Sequence, residues 1–387
     1  MANHEILITG IGAVSPYGDT YQQFVDGIMR SGISKTPIRS FCNIGYPNPE
    51  GIQVVLPDFC NTPEERILFM GERAIRAAIT DWAGDLNRYR RIGMVIGSGL
   101  GLTDQLYPGY GPDHDEHYLA RLDQLLSART GLNCESIYIS NACSAGSQAI
   151  SYGMDLLEAD DFDLIIAGGL DGLSQSAYAG FLRLYSIDPG GCRPFDKDRK
   201  GITVGEGAAF FVLENETTAL REGRTIYAGL AGAGITNDGY HIVQIKPDGQ
   251  AIVAAMDQAL AFAGLAKEAV DLIIAHGTGT PLNDKTEAQL ISSYFQDNTS
   301  DFRVTAPKSA IGHTGGASGA FGLLTAVGAI QTGRIPPVYH LQNMDPDCSI
   351  PLAAGEAGNA EIRHVLVNTF AFGGTNVIIV CTKYDGE

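Results

Sequence analysis

The feature that most constrains the fold is a series of short apolar runs, each bounded by glycine and many of them separated by stretches of helical periodicity. Continuously apolar runs of this length predict strands buried on both faces. The runs are residues 6–8, 94–96, 137–139, 164–167, 209–213, 272–275, 304–305, 365–367 and 377–380. The helical stretches are residues 64–83, 144–158, 249–264 and 317–332. Strands that alternate with helices predict an α/β protein with mainly parallel or mixed sheets.

Two parts of the chain repeat one plan. Residues 138–150 combine a strand, a turn of small residues that contains Cys143 and a helix rich in Ala and Ser, and residues 304–324 repeat this order with His313 at the turn. MVIGSGLG at 94–101 and IIAHGTGT at 273–280 form a second matched pair. This pattern predicts a duplicated unit, with halves at residues 1–235 and 236–387.

The charge of the chain excludes whole classes of partner. A net charge of −18 argues against nucleic acid and anionic membranes, because both are repelled at long range. An acidic partner would need a local basic patch. Six arginines are candidates for one, although a solvated helix face is the more common role for each: Arg66, Arg73, Arg76, Arg88, Arg90 and Arg91.

The cysteines and the N-terminal residues indicate a reduced, cytoplasmic setting. Seven cysteines are spread over the chain without CxxC pairs, which is unlike a disulfide framework or a zinc site. MANHEILITG lacks the basic start and apolar stretch of a signal peptide, and no segment approaches a membrane span in length. His114 and His117 have no further ligand cluster nearby, so we expect no metal.

Three residues lie in local sequences that are typical of catalytic positions. Cys143 in SNACSAGSQAI lies where a strand turns into a helix, so the helix N-terminus should lower the pKa of its thiol. His276 in AHGTGTPLND follows a strand and faces a glycine-rich turn, where α/β proteins place their sites. His313 in KSAIGHTGGASGA begins another small-residue helix. Taken singly, a buried structural cysteine and satisfied histidines are at least as common.

Taken together, the motifs resemble one family. ACSAG, HGTGT followed by Asp284, and KSAIGHTGGASGA resemble the Cys-His-His motifs of elongating β-ketoacyl-acyl-carrier-protein synthases. LITGIGAVSPYG, RPFDKDRKGITVGEGAAFFVLE, NDGYH and NTFAFGGTN extend the resemblance over nearly the whole chain. It implies a thiolase fold, in which two duplicated βαβαβ halves form α-β-α-β-α layers.

The resemblance implies a decarboxylative Claisen condensation. Cys143 would accept an acyl group from an acyl-carrier protein, and malonyl on a carrier protein would lose carbon dioxide to form the attacking enolate. His276 and His313 would hold the thioester oxygen as neutral hydrogen-bond donors. The backbone N–H groups of Cys143 and Phe372 would form the oxyanion hole. No cofactor would be bound, since the phosphopantetheine arm of the carrier protein brings the substrate.

The resemblance also assigns supporting residues. Lys308 would order the second histidine and the local charge rather than react. Thr278 and Thr280 would contact the phosphopantetheine arm. The remaining implied roles are gating and acyl-pocket lining by Phe370, Phe372 and Ile202, and support of the histidine loop by Asp284 and Glu287.

Several positions depart from the family pattern. Lys200, Gly201 and Ile202 stand where Asp-Gly-Phe is frequent, which changes the acyl pocket. Gly322 replaces a glutamate that commonly pairs with the family lysine, so Lys308 needs other partners. Further departures are Ala371 for a gate-loop glycine, Val243 for a threonine, and a segment 104–134 without the usual proline and phenylalanine.

Alternatives remain open at this point. A non-catalytic chain-length-factor subunit has the same fold but typically lacks the cysteine. A coenzyme A thiolase uses a second cysteine near the C-terminus, whereas Cys348 and Cys381 lie outside NTFAFGGTN. Among condensing enzymes, the departures favour a polyketide or polyene pathway over primary fatty-acid synthesis.

The fold's usual dimer predicts an interface at residues 138–141, in a homodimer or in a heterodimer with a chain-length-factor-like subunit. The heterodimer prediction depends on acidic and polar residues in the segment 104–134, which would repel each other in two identical chains: Asp113, His114, Asp115 and Glu116.

Overall fold

The computed structural model describes residues 5–41, 49–106, 122–296, 301–353 and 361–386. Its strands are β1 (Ile6–Val14), β2 (Thr36–Pro37), β3 (Glu50–Gly51), β4 (Ile92–Gly97), β5 (Glu135–Ile139), β6 (Leu164–Asp171), β7 (Gly207–Asn215), β8 (Ala228–Asn237), β9 (Leu272–Ile274), β10 (Arg303–Thr305), β11 (His364–Phe370) and β12 (Thr375–Thr382). Its α-helices are α1 (Tyr21–Ile28), α2 (Pro63–Trp82), α3 (Leu122–Thr130), α4 (Ala145–Glu158), α5 (Gln175–Arg183), α6 (Glu216–Arg221), α7 (Gln250–Ala263), α8 (Pro281–Tyr294), α9 (Lys308–Ile311) and α10 (Ser318–Thr332).

Ten strands form one mixed sheet whose two sides mirror each other. The order is β10-β9-β11-β12-β8-β1-β7-β6-β4-β5, and β1 pairs antiparallel with β8 at the centre. On one side β5, β4 and β6 are parallel and β7 is antiparallel; on the other side β10, β9 and β11 are parallel and β12 is antiparallel. This confirms the predicted duplication. The boundary at residue 235 stays a prediction, and it falls inside β8.

Small residues bring the N-termini of α4 and α10 together. A Cβ on Gly146 would lie 2.6 Å from the Gly316 carbonyl oxygen, and a Cβ on Gly319 would lie 1.8 Å from the Ser147 hydroxyl oxygen. From residue 318 to residue 330, α10 is entirely buried, which explains why this segment contains no charged residue. The two turns that precede these helices, at Cys143 and His313, therefore meet inside the protein.

The predicted strands are all present, but several elements were missed, among them β8, α5 and α8, and the burial of one predicted strand was misjudged. Strand β8 was missed because AGLAGAGITN is dominated by glycine and alanine, and α8 because it buries acidic residues that break the apolar pattern. Helix α5 was missed as well. The prediction that residues 137–139 are buried on both faces is wrong for this chain alone, since β5 is an edge strand with half-exposed side chains.

Candidate active site

The nucleophile candidate lies in a tight turn between β5 and α4. Cys143 occupies a 3-10 turn, Ala142–Ser144, and is 7% exposed. Ala142 has a φ of 43°, in the left-handed region that costs a non-glycine residue about 1–2 kcal/mol. Gly97 allows the close approach of the helix, because a Cβ there would lie 2.3 Å from the Ala145 carbonyl oxygen.

His276 follows β9 and is held from both sides. The Glu287 carboxylate accepts the backbone N–H groups of His276 and Gly277, each at 2.8 Å. The ring Nδ1 accepts the backbone N–H of Phe370 at 3.3 Å, which places the proton of the neutral ring on Nε2. Burial, together with the charge of Lys308, lowers the pKa of His276 well below its ordinary value.

His313 lies in the turn between α9 and α10 and is held in the same tautomer. Its Nδ1 accepts the backbone N–H of Gly315 at 3.1 Å and lies 3.1 Å from the Ser318 hydroxyl, so Nε2 carries the proton. Burial, with the charge of Lys308, lowers the pKa of His313 to about 3. The rings of His276 and His313 are perpendicular, with centroids 5.9 Å apart. Both imidazoles are therefore neutral donors at physiological pH.

Lys308 has no carboxylate partner at position 322, which is glycine in this chain, and hydrogen-bonds to His276 instead. Its Nζ donates to the His276 carbonyl oxygen at 2.6 Å and lies 3.3 Å from Nδ1 of the same residue. Burial lowers the pKa of Lys308. A Cβ on Gly322 would lie 2.8 Å from Val367 Cγ1, so that position faces apolar side chains. The lysine orders His276, whereas the family resemblance had predicted that it orders His313.

The thiol of Cys143 has a raised pKa. Burial raises it to about 11, opposed by the charge of Lys308 and by the backbone N–H groups of Phe372 and Cys143 that hydrogen-bond to the sulfur. The prediction of a lowered pKa is therefore wrong, because desolvation outweighs the helix N-terminus. The two N–H groups come from the positions predicted for the oxyanion hole.

Asp284 shapes the loop that carries the two threonines. Its buried carboxylate accepts the backbone N–H groups of Thr278 at 3.1 Å, Gly279 at 3.1 Å and Phe195 at 2.9 Å. The hydroxyls of Thr278 and Thr280 lie 2.8 Å apart. Three hydrogen bonds to one carboxylate hold both hydroxyls on the same wall of the site.

The two predicted gate residues differ in burial. Phe370 is 5% exposed, and its ring lies 5.4 Å from that of His276. Phe372 is 36% exposed and contacts Phe181, with ring centroids 5.8 Å apart. Phe181 in turn lies 6.1 Å from the ring of His313. A chain of aromatic contacts therefore connects the exposed gate to a buried histidine.

The departures at the gate and acyl pocket are accommodated without backbone strain. Positive φ values fall on Gly373 (83°) and Gly374 (82°), so Ala371 does not need the left-handed conformation. Ile202 is 2% exposed and packs in a cluster with Tyr178 and Val204. An apolar wall is kept where the family often has phenylalanine.

Among the residues of the site that were not predicted, two have clear structural roles. The Asp171 carboxylate, 1% exposed at the end of β6, accepts the Ser98 hydroxyl and the backbone N–H groups of Gly99 (3.0 Å), Leu100 (3.3 Å) and Gly316. It thereby joins the loop after β4 to the loop of His313. An acid that ends a buried apolar strand was the available signal. The other residue is Phe181, for which α5 offered no pattern.

These side chains converge on one pocket of about 400 Å³. Asp284, Glu287 and Lys308 support its wall from behind through the hydrogen bonds above. The predicted site residues that line it are Cys143, Ile202, His276, Thr278, Thr280, His313, Phe370 and Phe372.

Most of the arginines proposed to form a basic patch are ion-paired with acidic residues of the same chain. Arg66 is buried against Glu206. The other pairs are Arg73 with Asp19, Arg76 with Glu72, Arg88 with Glu222, and Arg91 with Asp160 and Asp163. Their charges are therefore largely neutralised within the chain.

Some predictions concern residues outside the described ranges. Residues 113–116, on which the heterodimer prediction depends, and His117 lie outside the described ranges. Within those ranges, His, Cys, Asp and Glu side chains form no group of three that could hold a metal ion. In the same ranges, each helix is too short or too polar to cross a membrane.

Comparison with known proteins supports one class. The Beta-ketoacyl synthase, N-terminal domain matches residues 74–219, and the Beta-ketoacyl synthase, C-terminal domain matches residues 227–342. The 3-oxoacyl-[acyl-carrier-protein] synthase 2 of Synechocystis sp. is 33% identical, over 99% of this chain and 100% of the relative. The enzyme of that name from Coxiella burnetii is 30% identical, over 99% of both chains.

A solved structure described as the ishigamide ketosynthase/chain length factor has a TM-score of 0.87 at 30% identity, covering 99% of this chain and 100% of its own. A duplicated thiolase-like fold with a buried cysteine and two neutral histidines defines a condensing acyltransferase. The chain belongs to the β-ketoacyl synthase family. The predicted fold class and enzyme class are thus confirmed.

Proposed function

We propose that this chain condenses an acyl group held on Cys143 with malonyl-acyl-carrier protein, releasing carbon dioxide and a β-ketoacyl-carrier protein. The observation that carries the proposal is the pair of imidazoles. His276 and His313 are both neutral, each accepts a backbone N–H at Nδ1 so that the ring proton lies on Nε2, and both line the same pocket as Cys143.

In the first half-reaction, the Cys143 sulfur attacks the thioester carbonyl of an acyl-carrier protein. The carbonyl oxygen becomes an oxyanion, which the N–H groups of Cys143 and Phe372 stabilise. The tetrahedral intermediate collapses with loss of the carrier thiolate, which takes the proton that Cys143 gives up. Because the pKa of Cys143 is raised to about 11, the thiol keeps its proton until the sulfur attacks, and the proton passes directly to the carrier sulfur as that sulfur departs.

In the second half-reaction, malonyl thioester occupies the vacated site. Its C–C bond to the carboxylate breaks, carbon dioxide leaves and the electron pair forms an enolate. Nε2–H groups of His276 and His313 donate to the enolate oxygen, and their lowered pKa values keep them neutral for this task. The enolate carbon then attacks the acyl-Cys143 carbonyl, and the cysteine leaves as a thiolate that is reprotonated.

Intact mass measurement of the carrier protein tests the proposal. Purified chain, acyl-carrier protein and malonyl-carrier protein should give a product that retains two carbons of malonyl and has lost carbon dioxide, and Cys143→Ala should give none. Unchanged carrier masses with an acylated Cys143 would contradict the condensation. A chain that cannot be acylated would instead match the chain-length-factor alternative, which the intact Cys143 disfavours.

The pathway and the partner are proposed on separate grounds. Curated relatives named 3-oxoacyl-[acyl-carrier-protein] synthase 2 support a carrier-protein substrate. The likeness to the ishigamide ketosynthase/chain length factor and the altered positions around Lys200 support specialised polyketide or polyene synthesis. The preferred acyl donor tests this, since the chain itself adds the same β-ketoacyl unit in either pathway: saturated acyl-carrier proteins should acylate Cys143 best in fatty-acid synthesis, and polyene or poly-β-keto acyl-carrier proteins in a specialised pathway.

Strand β5 supports a dimer. It lies at the edge of the sheet with half-exposed side chains, and an edge strand presents unpaired N–H and C=O groups for another strand. We propose pairing through residues 138–141, with a second copy or with a chain-length-factor-like subunit. The mass in solution and the activity of the chain expressed alone test this. A fully active homodimer would contradict the heterodimer, whereas an inactive chain rescued by co-expression would support it.

A further inference from the structure

Among the described residues, the lining of the catalytic pocket combines exposed apolar side chains and neutral polar ones with a single cation. Leu184, Tyr185 and Leu282 line it with exposed fractions of 42%, 83% and 40%. Lys200 also lines the pocket and is exposed. Within the described part of the chain, no other lysine or arginine lines this pocket.

The other charged group of the lining is already satisfied. Asp238 accepts the Asn376 side-chain amide at 2.7 Å and the backbone N–H of Lys246 at 2.9 Å. Lys246 pairs with Asp248 at 3.0 Å, whereas Lys200 makes no ion pair among the described residues. The ammonium group of Lys200 is therefore available to an incoming anion.

The backbone around Lys200 is fixed, although the side chain is exposed. Its N–H donates to the Asp188 carboxylate at 3.1 Å, and the next-but-one N–H, of Ile202, donates to the Ser186 carbonyl oxygen at 2.7 Å. A Cβ on Gly279 would lie 2.6 Å from the Gly201 carbonyl oxygen. The Lys200 segment thus packs directly against the loop that carries Thr278 and Thr280.

We propose that Lys200 binds the phosphate of the phosphopantetheine arm while the arm extends past Thr278 and Thr280 toward Cys143. This inference rests on the proposed function. An ammonium group and a phosphate oxygen form a charge-assisted hydrogen bond. In a chain of net charge −18, a local cation offsets the repulsion that an anionic arm meets at long range.

Acylation of Cys143 by two small thioesters tests the proposal. The first is acyl-phosphopantetheine and the second is acyl-pantetheine, which differs only in lacking the phosphate. For Lys200→Ala we expect KM to rise about fivefold with the first and to stay unchanged with the second. Lys200→Arg should retain most of the affinity. Lys197→Ala is the matched control, because Lys197 is exposed on the same segment but does not line the pocket.

Two outcomes with Lys200→Ala would overturn the assignment. Equal rises in KM with both thioesters would mean that Lys200 shapes the mouth without binding phosphate. Acyl-carrier protein is the third substrate, and a rise in KM with it alone would mean that Lys200 contacts the carrier protein itself and not the phosphate. Failure of the wild-type chain to become acylated by any of the thioesters would count against the proposed function instead.

Discussion

Replacing Asp171 with alanine removes the acceptor that joins the loops after β4 and β6 to the His313 loop. The backbone N–H groups of Gly99, Leu100 and Gly316 lose their partner. A buried donor left unsatisfied costs about 1–3 kcal/mol, so three cost roughly 3–9 kcal/mol. The ionised carboxylate carries an opposing cost, since burial raises its pKa from 3.8 to about 6, equivalent to about 3 kcal/mol at neutral pH. The expected net loss of unfolding free energy is about 3 kcal/mol.

Asp171→Asn is the matched control. The amide has nearly the same volume, keeps one acceptor oxygen and carries no charge, so we expect its stability to lie within about 1 kcal/mol of wild type. The pH dependence gives a second test. A raised pKa in the folded state stabilises the protein below the unfolded pKa, and this contribution is lost as pH rises through about 6. The difference in unfolding free energy between wild type and Asp171→Ala should therefore be about 1.4 kcal/mol larger at pH 5 than at pH 8.

Urea unfolding of the three proteins at both pH values, followed by tryptophan fluorescence and circular dichroism, measures these differences. Equal destabilisation by alanine and asparagine would show that the hydrogen bonds from the loops are not what Asp171 contributes. A difference in unfolding free energy between wild type and Asp171→Ala that is the same at pH 5 and pH 8 would refute the raised pKa of Asp171.

Three further predictions concern catalysis. Cys143→Ala should abolish acyl-enzyme formation in mass spectrometry with an unchanged circular dichroism spectrum; retained acylation would exclude the mechanism. His276→Ala and His313→Ala should slow malonyl decarboxylation by about 10²–10³-fold and self-acylation much less, and equal small effects on both steps would count against oxyanion donation. Phe372→Ala should change acyl-chain selectivity with little change in melting temperature, because the side chain is 36% exposed; a collapse of stability with selectivity intact would make it a core residue.

The sequence alone determined the architecture and the residues that carry the proposed chemistry. Apolar runs bounded by glycine predict the buried strands of the sheet, parallel and antiparallel alike, since strands covered on both faces need apolar residues on both faces. The repeated strand-turn-helix plan around Cys143 and His313 predicts the duplicated halves. Both are local patterns, in which spacing along the chain is itself the structural signal.

Only the tertiary structure decided the electrostatics and the partners within the site. The pKa of Cys143 is raised, contrary to the prediction from its helix N-terminus, because burial by distant segments outweighs a local dipole. His276 Nδ1 accepts a hydrogen bond from the Phe370 N–H, although the two residues are far apart in sequence. The contact between the Lys200 segment and the Thr278 loop is equally distant along the chain. Desolvation and hydrogen-bond partners depend on which distant residues meet in space, and a local sequence pattern does not predict those contacts.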